Sequence, residues 1–131
     1  MFRANDYWIS IVEMKSYRTD AERILTEGER DELAEFIATN PHYGDIIPGT
    51  GGVRKVRWGA KGGGKRGGAR VIYYFRDLNM PVFLLAIYAK GEKANLSMSE
   101  RLAVKNLVGA LVEQYRPKWD ALIRLNAGLE E

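Results

Sequence analysis

The sequence predicts an α+β fold in the order β-α-α-β-β-β-α, a mostly antiparallel sheet with helices packed against it. Three observations carry that expectation. Two segments open on hydroxyl–carboxylate pairs suited to capping boxes, Thr26 with Glu29 and Ser97 with Glu100. Three runs rich in β-branched and aromatic residues follow one another between residues 53 and 89. An apolar stripe at helical spacing, Val104, Leu107, Val108, Leu111, Val112 and Tyr115, comes after them.

In chain order, residues 7–12 (YWISIV) read as the first strand. Tyr17, Ala21, Ile24 and Leu25 recur at helical spacing and place a short helix over 14–25. Thr26 then opens a second helix, in which Leu33, Phe36 and Ile37 share a face before Asn40-Pro41 stops it. Residues 42–52 (HYGDIIPGTGG) form a connector of turn residues. Strands are expected over 53–58, 69–76 and 81–89, the last two joined by a turn at 77–80. Ser97 begins a third helix that Pro117 is expected to end, and Trp119, Leu122 and Ile123 suggest a short tail helix closed near Gly128. The chain reads as a single domain over 1–131, with a core at about 7–115 and a helical extension at 117–131. The first strand must find its partner across the helical hairpin, and nothing in the sequence fixes where it lies.

Composition narrows the chemistry. There is no cysteine, which excludes disulfides and thiolate metal sites and suits a reducing cytoplasm. No apolar run is long enough to predict a membrane span, and no secretion signal is expected. Charge is unevenly placed. Between Asp45 and Asp77 no acidic residue occurs, yet the interval holds Arg54, Lys55, Arg57, Lys61, Lys65, Arg66, Arg70 and Arg76. The remainder carries 12 basic against 17 acidic residues. A mildly acidic body with one cationic segment is the footprint of a polyanion site; a solvated basic loop is the plainer alternative.

Within that segment GAKGGGKR (59–66) nearly matches a phosphate-cradling G-x-x-x-x-G-K-[ST] loop. Arg66 stands where a hydroxyl is needed, and a strand rather than a helix follows, so a nucleotide triphosphatase is excluded. A glycine-rich cationic connector remains, in which Lys61, Lys65 and Arg66 can follow a phosphate backbone.

Alternation sorts the strand faces. Arg70, Ile72, Tyr74 and Arg76 share one side, and Val71, Tyr73 and Phe75 the other. Phe83, Leu85 and Ile87 form an apolar face, opposite Val82, Leu84, Ala86, Tyr88 and Lys90. Val53, Lys55 and Arg57 go together. The expected surface therefore gathers Lys55, Arg57, Arg70, Tyr74, Tyr88 and Lys90, with an exposed Arg70 head group and the basic loop at its edge. Cations interleaved with tyrosines suit RNA, the cations holding phosphates while the rings stack on unpaired bases. Catalysis by a histidine pair is excluded, because His42 is the one histidine and reads as a surface-loop residue. Arginines clamping a phosphate, with lysine or tyrosine moving protons, remain. A non-catalytic nucleic-acid-binding module, or one built to bind an acidic protein segment, would use the same cations.

GTGGVRKVR (49–57), GGGKRGG (62–68), ARVIYYF (69–75) and LLAIYAKGE (84–92), together with Asn40-Pro41 and Gly44-Asp45, resemble the HigB branch of the RelE-like toxins over roughly residues 8–115. The resemblance implies a RelE-like sheet fold related to small microbial ribonucleases. It implies a toxin of a type II toxin–antitoxin pair that cleaves mRNA on the ribosome without metal or other cofactor, in the cytoplasm, and is neutralised by a cognate helix-turn-helix antitoxin. By position, Arg70 is implied as the strand arginine at the scissile phosphate. Lys55 and Arg57 match the basic strand before the loop, and Tyr88 and Lys90 the cluster closing the last core strand. Gly91 stands where the RelE branch carries an arginine, a role left for Lys90 or Arg66.

Overall fold

A computed structural model describes the backbone of residues 2–4, 7–59, 68–93 and 95–130, and the side chains of 9–59, 68–93, 95–115 and 125. The elements are β1 (Phe2–Ala4), β2 (Tyr7–Ile9), β3 (Ile11–Glu13), α1 (Lys15–Ile24), α2 (Glu27–Thr39), β4 (Asp45–Ile46), β5 (Arg54–Trp58), β6 (Ala69–Tyr74), β7 (Val82–Ala89) and α3 (Met98–Glu130). The fold is α+β, as expected, with a five-stranded sheet in the order β3-β7-β6-β5-β4. The three pairings from β7 to β4 are antiparallel, and β3 joins β7 in parallel.

The first expected strand is in fact two. Tyr7–Ile9 pairs with β1 in a separate hairpin, whereas Ile11–Glu13 joins the main sheet. Ser10 lies at the changeover, and its carbonyl accepts from Val82 N–H at 2.9 Å. Both capping boxes form. Thr26 Oγ1 accepts from Glu29 N–H at 3.1 Å, and the Glu29 carboxylate accepts from Thr26 N–H at 2.8 Å. Ser97 and Glu100 make the same exchange at the start of α3.

The sheet is covered on both faces. Tyr17, Ala21, Ile24, Leu33 and Ile37 from the helical hairpin pack with Val56, Val71, Tyr73, Leu84 and Ile87. Val108 and Leu111 of α3 pack on the other face with Val53, Ile72, Tyr74, Phe83, Leu85 and Tyr88. One residue corrects the face assignment of β7. Ile72 pairs with Ala86 but Tyr73 pairs with Leu84, so Leu85 is the extra residue of a β-bulge. Alternation reverses there: Phe83 and Leu85 join the α3 face, and Val82 and Leu84 join the hairpin face that Ile87 already occupies. Ser16 of α1 donates to the Leu85 carbonyl at 2.8 Å, giving the bulged peptide a partner.

α3 also departs from expectation. It runs unbroken through Pro117 for 33 residues, about 50 Å at 1.5 Å per residue. Proline removes one backbone donor, but its fixed φ is compatible with a helix, so flanking helix formers such as Ala121 and Leu122 carry the segment past it. Leu107, expected in the buried stripe, is 36 % exposed. No helix among the described residues is long and apolar enough to cross a membrane.

The connector before β5 is fastened by Tyr73, whose hydroxyl accepts from Gly44 N–H at 2.9 Å and donates to the Pro41 carbonyl at 2.9 Å. Arg54 Nη1 adds bonds to the carbonyls of His42 at 3.0 Å and Gly44 at 2.7 Å. Tyr73→Phe should lower the unfolding free energy by about 1–3 kcal/mol, because a buried N–H loses its partner. Urea titration of both forms checks this, and a change below a few tenths would contradict it.

Candidate functional site

The register of β5, β6 and β7 puts Arg57 opposite Arg70 and Arg70 opposite Tyr88. With strands about 4.8 Å apart, the three side chains form one row across the sheet. Two arginines side by side repel each other and contribute nothing favourable to sheet pairing. Such an arrangement gains stability only when an anion lies between them.

Arg70 is 6 % exposed, which corrects the expectation of an exposed head group. Its aliphatic stem lies in the sheet, with Ile72 next along the same face. Among the described residues it forms no salt bridge, and its buried Nη1 has no hydrogen-bond partner. A guanidinium so placed has lost water without gaining a counter-charge among the described residues, a cost that a charged acceptor would offset. Arg57 is exposed at the other end of the pair.

Tyr88 also corrects the expected open surface: it is 3 % exposed and belongs to the core cluster with Val108 and Leu111, in register beside Arg70. Burial raises its phenol pKa, against the opposing pull of the Lys93 and Arg70 charges, so it is held as a neutral O–H at physiological pH. Lys93, which sequence reasoning missed, places Nζ 5.1 Å from the Tyr88 ring centroid, within cation–π range. The turn carrying Lys93 is held from two sides. Glu92 pairs with Arg23 of α1 at 2.6 Å, and Lys93 pairs with Glu100 of α3. Nothing in the spacing from Lys93 to Glu100 announces this contact, since Glu100 is legible only as a helix cap.

Lys55 lies one row along the same face, in register with Asp45 on one side and Ile72 on the other. Its Nζ donates to Asn95 Oδ1 at 2.8 Å. Lys90 is exposed just after β7, and its N–H donates to the Gly68 carbonyl at 3.2 Å. Tyr74 is corrected: it lies in the core cluster under α3, with Val108 and Leu111, rather than on an open surface. α3 covers the half of the face toward Tyr74 that strand alternation alone leaves open. Lys61, Lys65 and Arg66 lie outside the described residues. Two other cations of the acid-free run are spent elsewhere, Arg54 on the connector carbonyls and Arg76 on Asp77 at 3.7 Å. His42 packs edge-on against Phe75, ring centroids 5.1 Å apart, remote in role from the arginine row. No group of three His, Asp or Glu side chains among the described residues could hold a metal ion.

A family model described as the RelE toxin of the RelE/RelB toxin–antitoxin system matches residues 43–130. The chain belongs to the RelE toxin family. It is thus a toxin of a toxin–antitoxin system, and the family implies an antitoxin partner. The RelE match takes in the whole arginine row, the Lys93 turn and α3. β1 to β3, α1 and α2 fall before it, so the helical hairpin supporting the far side of the sheet lies outside the matched stretch.

Glu100 links the site to the stability of this RelE-family domain. The Lys93 ammonium, then the Ser97 N–H, hold its carboxyl down to about 2. A depressed folded-state pKa gives stabilisation that is complete above the ordinary value of 4.5 and is lost as pH falls toward 2. Denaturant midpoints measured from pH 6 to pH 2 should therefore fall below about pH 4.5 in the native protein. In Glu100→Gln the midpoint should start lower and the acid decline should be shallower. Parallel curves would contradict this assignment.

Proposed function

We propose that this toxin is a ribosome-dependent endoribonuclease that cleaves mRNA by attack of a ribose 2′-hydroxyl on the adjoining phosphate, and so stops translation. The observation that carries the reading is Arg70, buried, lacking a salt-bridge partner among the described residues, and flanked in register by Arg57 and Tyr88. In the reaction the 2′-O–H loses its proton and forms a bond to phosphorus. The P–O5′ bond breaks, and O5′ takes a proton. The products are a 2′,3′-cyclic phosphate and a 5′-hydroxyl.

Each role follows from a side chain's chemistry. Arg70 and Arg57 bind the non-bridging oxygens and stabilise the charge that builds on phosphorus, a contribution often worth several kcal/mol. Tyr88, kept protonated by burial, suits the donor that serves the leaving O5′. Lys90 is assigned to the site from the strand end, and Lys55 to the neighbouring phosphate or sugar. Lys61, Lys65 and Arg66 are assigned to backbone phosphates beyond the cut. No strong base stands in the row, so the chemistry relies on a substrate held in a reactive geometry. A ribosome with mRNA in its decoding channel supplies that restraint, which supports the ribosome-dependent reading. No step is assigned to a metal. A helix-turn-helix antitoxin and a cytoplasmic location complete the proposal.

Arg70→Met retains the buried stem while removing the charge. It should stay folded, with a denaturation midpoint no lower than that of the native protein, and lose at least about a hundredfold in cleavage rate. Transcript-end mapping after tightly controlled expression measures the loss, with circular dichroism reporting the fold. Intact transcripts with native protein, together with strongly salt-dependent RNA binding, would instead identify a non-catalytic binding module.

A further inference from the structure

Away from the arginine row, a groove of about 570 Å³ runs between the connector and the first turns of α3. Pro48 and Gly49 form one wall, and Met98, Arg101, Leu102 and Lys105 the other. Ser99, also in the lining, is engaged with Ser97 Oγ at 3.1 Å. The connector wall is preformed. Buried Thr50 donates from Oγ1 to the Ile47 carbonyl at 2.6 Å and accepts there from Val53 N–H at 3.1 Å. Met98 and Leu102 are 79 % and 58 % exposed and belong to neither core cluster. At about 100° per residue, Met98, Leu102, Lys105 and Gly109 fall within an arc of about 60°, a stripe about 16 Å long. Gly109 is exposed, and a Cβ there would meet nothing within 4 Å. Glycine inside a helix weakens it relative to alanine, so the isolated fold gains nothing from this residue. What glycine does allow is close approach of a second backbone.

Charge narrows the occupant. Arg101 and Lys105 are the charged residues of the lining, and no carboxylate among the described residues lines it with them. Neither forms a salt bridge among the described residues. Arg101 Nη1 donates to the Pro48 carbonyl at 3.4 Å, while its Nε is buried without a partner. A carboxylate arriving at the groove would supply a charge-assisted acceptor. Other occupants fit less well. A small metabolite needs a site that encloses it, and the apolar walls here stand open. RNA is held by cations together with stacking rings, and no aromatic side chain among the described residues lines the groove. An isologous contact with a second copy would set Arg101 and Lys105 against themselves. We propose that this groove docks an acidic amphipathic helix of the antitoxin, its apolar residues covering Met98 and Leu102 and its carboxylates pairing with Arg101 and Lys105. The family match supplies that partner, and the groove supplies its contact chemistry. Pro48 and Arg101 also border the smaller cavity lined by Lys55, so an occupant of the groove adjoins the cationic face. The inference goes beyond the nuclease reading and does not depend on it.

The test is the affinity of the full chain for the antitoxin of its own gene pair, measured by isothermal titration. The chain carries Arg70→Met, outside the groove, so that it can be produced without its partner. Leu102→Glu and Lys105→Glu both alter exposed side chains and should leave the circular dichroism and denaturation midpoint of the chain unchanged. Each should weaken binding at least about tenfold. Ala103→Glu, exposed on the same helix but outside the lining, should change it less than about twofold. Unchanged affinity in Leu102→Glu, or equal losses in all three variants, overturns the proposal. A loss in Leu102→Glu with none in Lys105→Glu overturns the acidic character of the partner helix, and the proposal with it. Two further outcomes reassign the groove when antitoxin affinity is unchanged. Dimers of the chain that Leu102→Glu dissolves give it to a second copy, and ribosome association weakened by Lys105→Glu gives it to RNA. Either overturns the proposal.

Discussion

Because side chains alternate along a strand, a slip of one residue in the pairing of β5, β6 and β7 would send Arg57, Arg70 and Tyr88 to different faces. The register is therefore the constraint on which the site depends. It is enforced by apolar neighbours rather than by the functional residues. Val56, Val71 and Ile87 sit in adjacent register on the hairpin face and are buried there, so any slip would expose a core residue for each arginine it moved. The bulge at Leu85 falls just N-terminal to this row on β7. It lets Phe83 and Leu85 fill the α3 side while leaving the pairing at Ile87 and Tyr88 undisturbed.

Burial of Arg70 has an electrostatic consequence. A guanidinium removed from water and left without a carboxylate costs free energy in the unbound protein. Under the proposed nuclease reading, a bound phosphate would offset that cost in a setting where its charge interacts more strongly than in bulk water. The two carboxylates around the turn after β7 are engaged elsewhere: Glu100 with Lys93 and the Ser97 N–H, Glu92 with Arg23. Both pairs tie the turn after β7 to a helix. Among the described residues Arg70 has no salt-bridge partner, while Lys93 is held above the Tyr88 ring.

α3 has two functions in the fold. Val108 and Leu111 close the core over Tyr74, while its first turn supplies Glu100 to the Lys93 turn. Covering part of the sheet and trimming the rest into a site are one act of packing. On the face that α3 leaves uncovered, Arg57 is exposed and Lys55 half-buried, with Arg70 and Tyr88 buried in register beside Arg57.

Much of this was legible from local chemistry. The hydroxyl–carboxylate pairs at Thr26 and Ser97 announce helix starts because the donors they satisfy lie within one turn. The period-two pattern of 69–75 sorts Arg70 from Val71 because alternation needs no knowledge of a partner strand. The acid-free run marks a polyanion surface because charge is additive along the chain. Other features needed the assembled molecule. The Leu85 bulge reverses alternation without altering composition, so Phe83 and Ile87 look equivalent until their partners are known. Arg70 and Tyr74 read as exposed because no local signal tells how far α3 reaches across the sheet. Lys93, Asn95 and Asp45 join the site only through contacts with β7, β5 and α3. The sequence by itself determined where the helices begin, where the three central strands lie and where positive charge accumulates, since these depend on near neighbours. Tertiary structure alone decided which cations share a row, which are buried and which are bound to carbonyls or carboxylates elsewhere, since those depend on the pairing and packing of segments far apart in the chain.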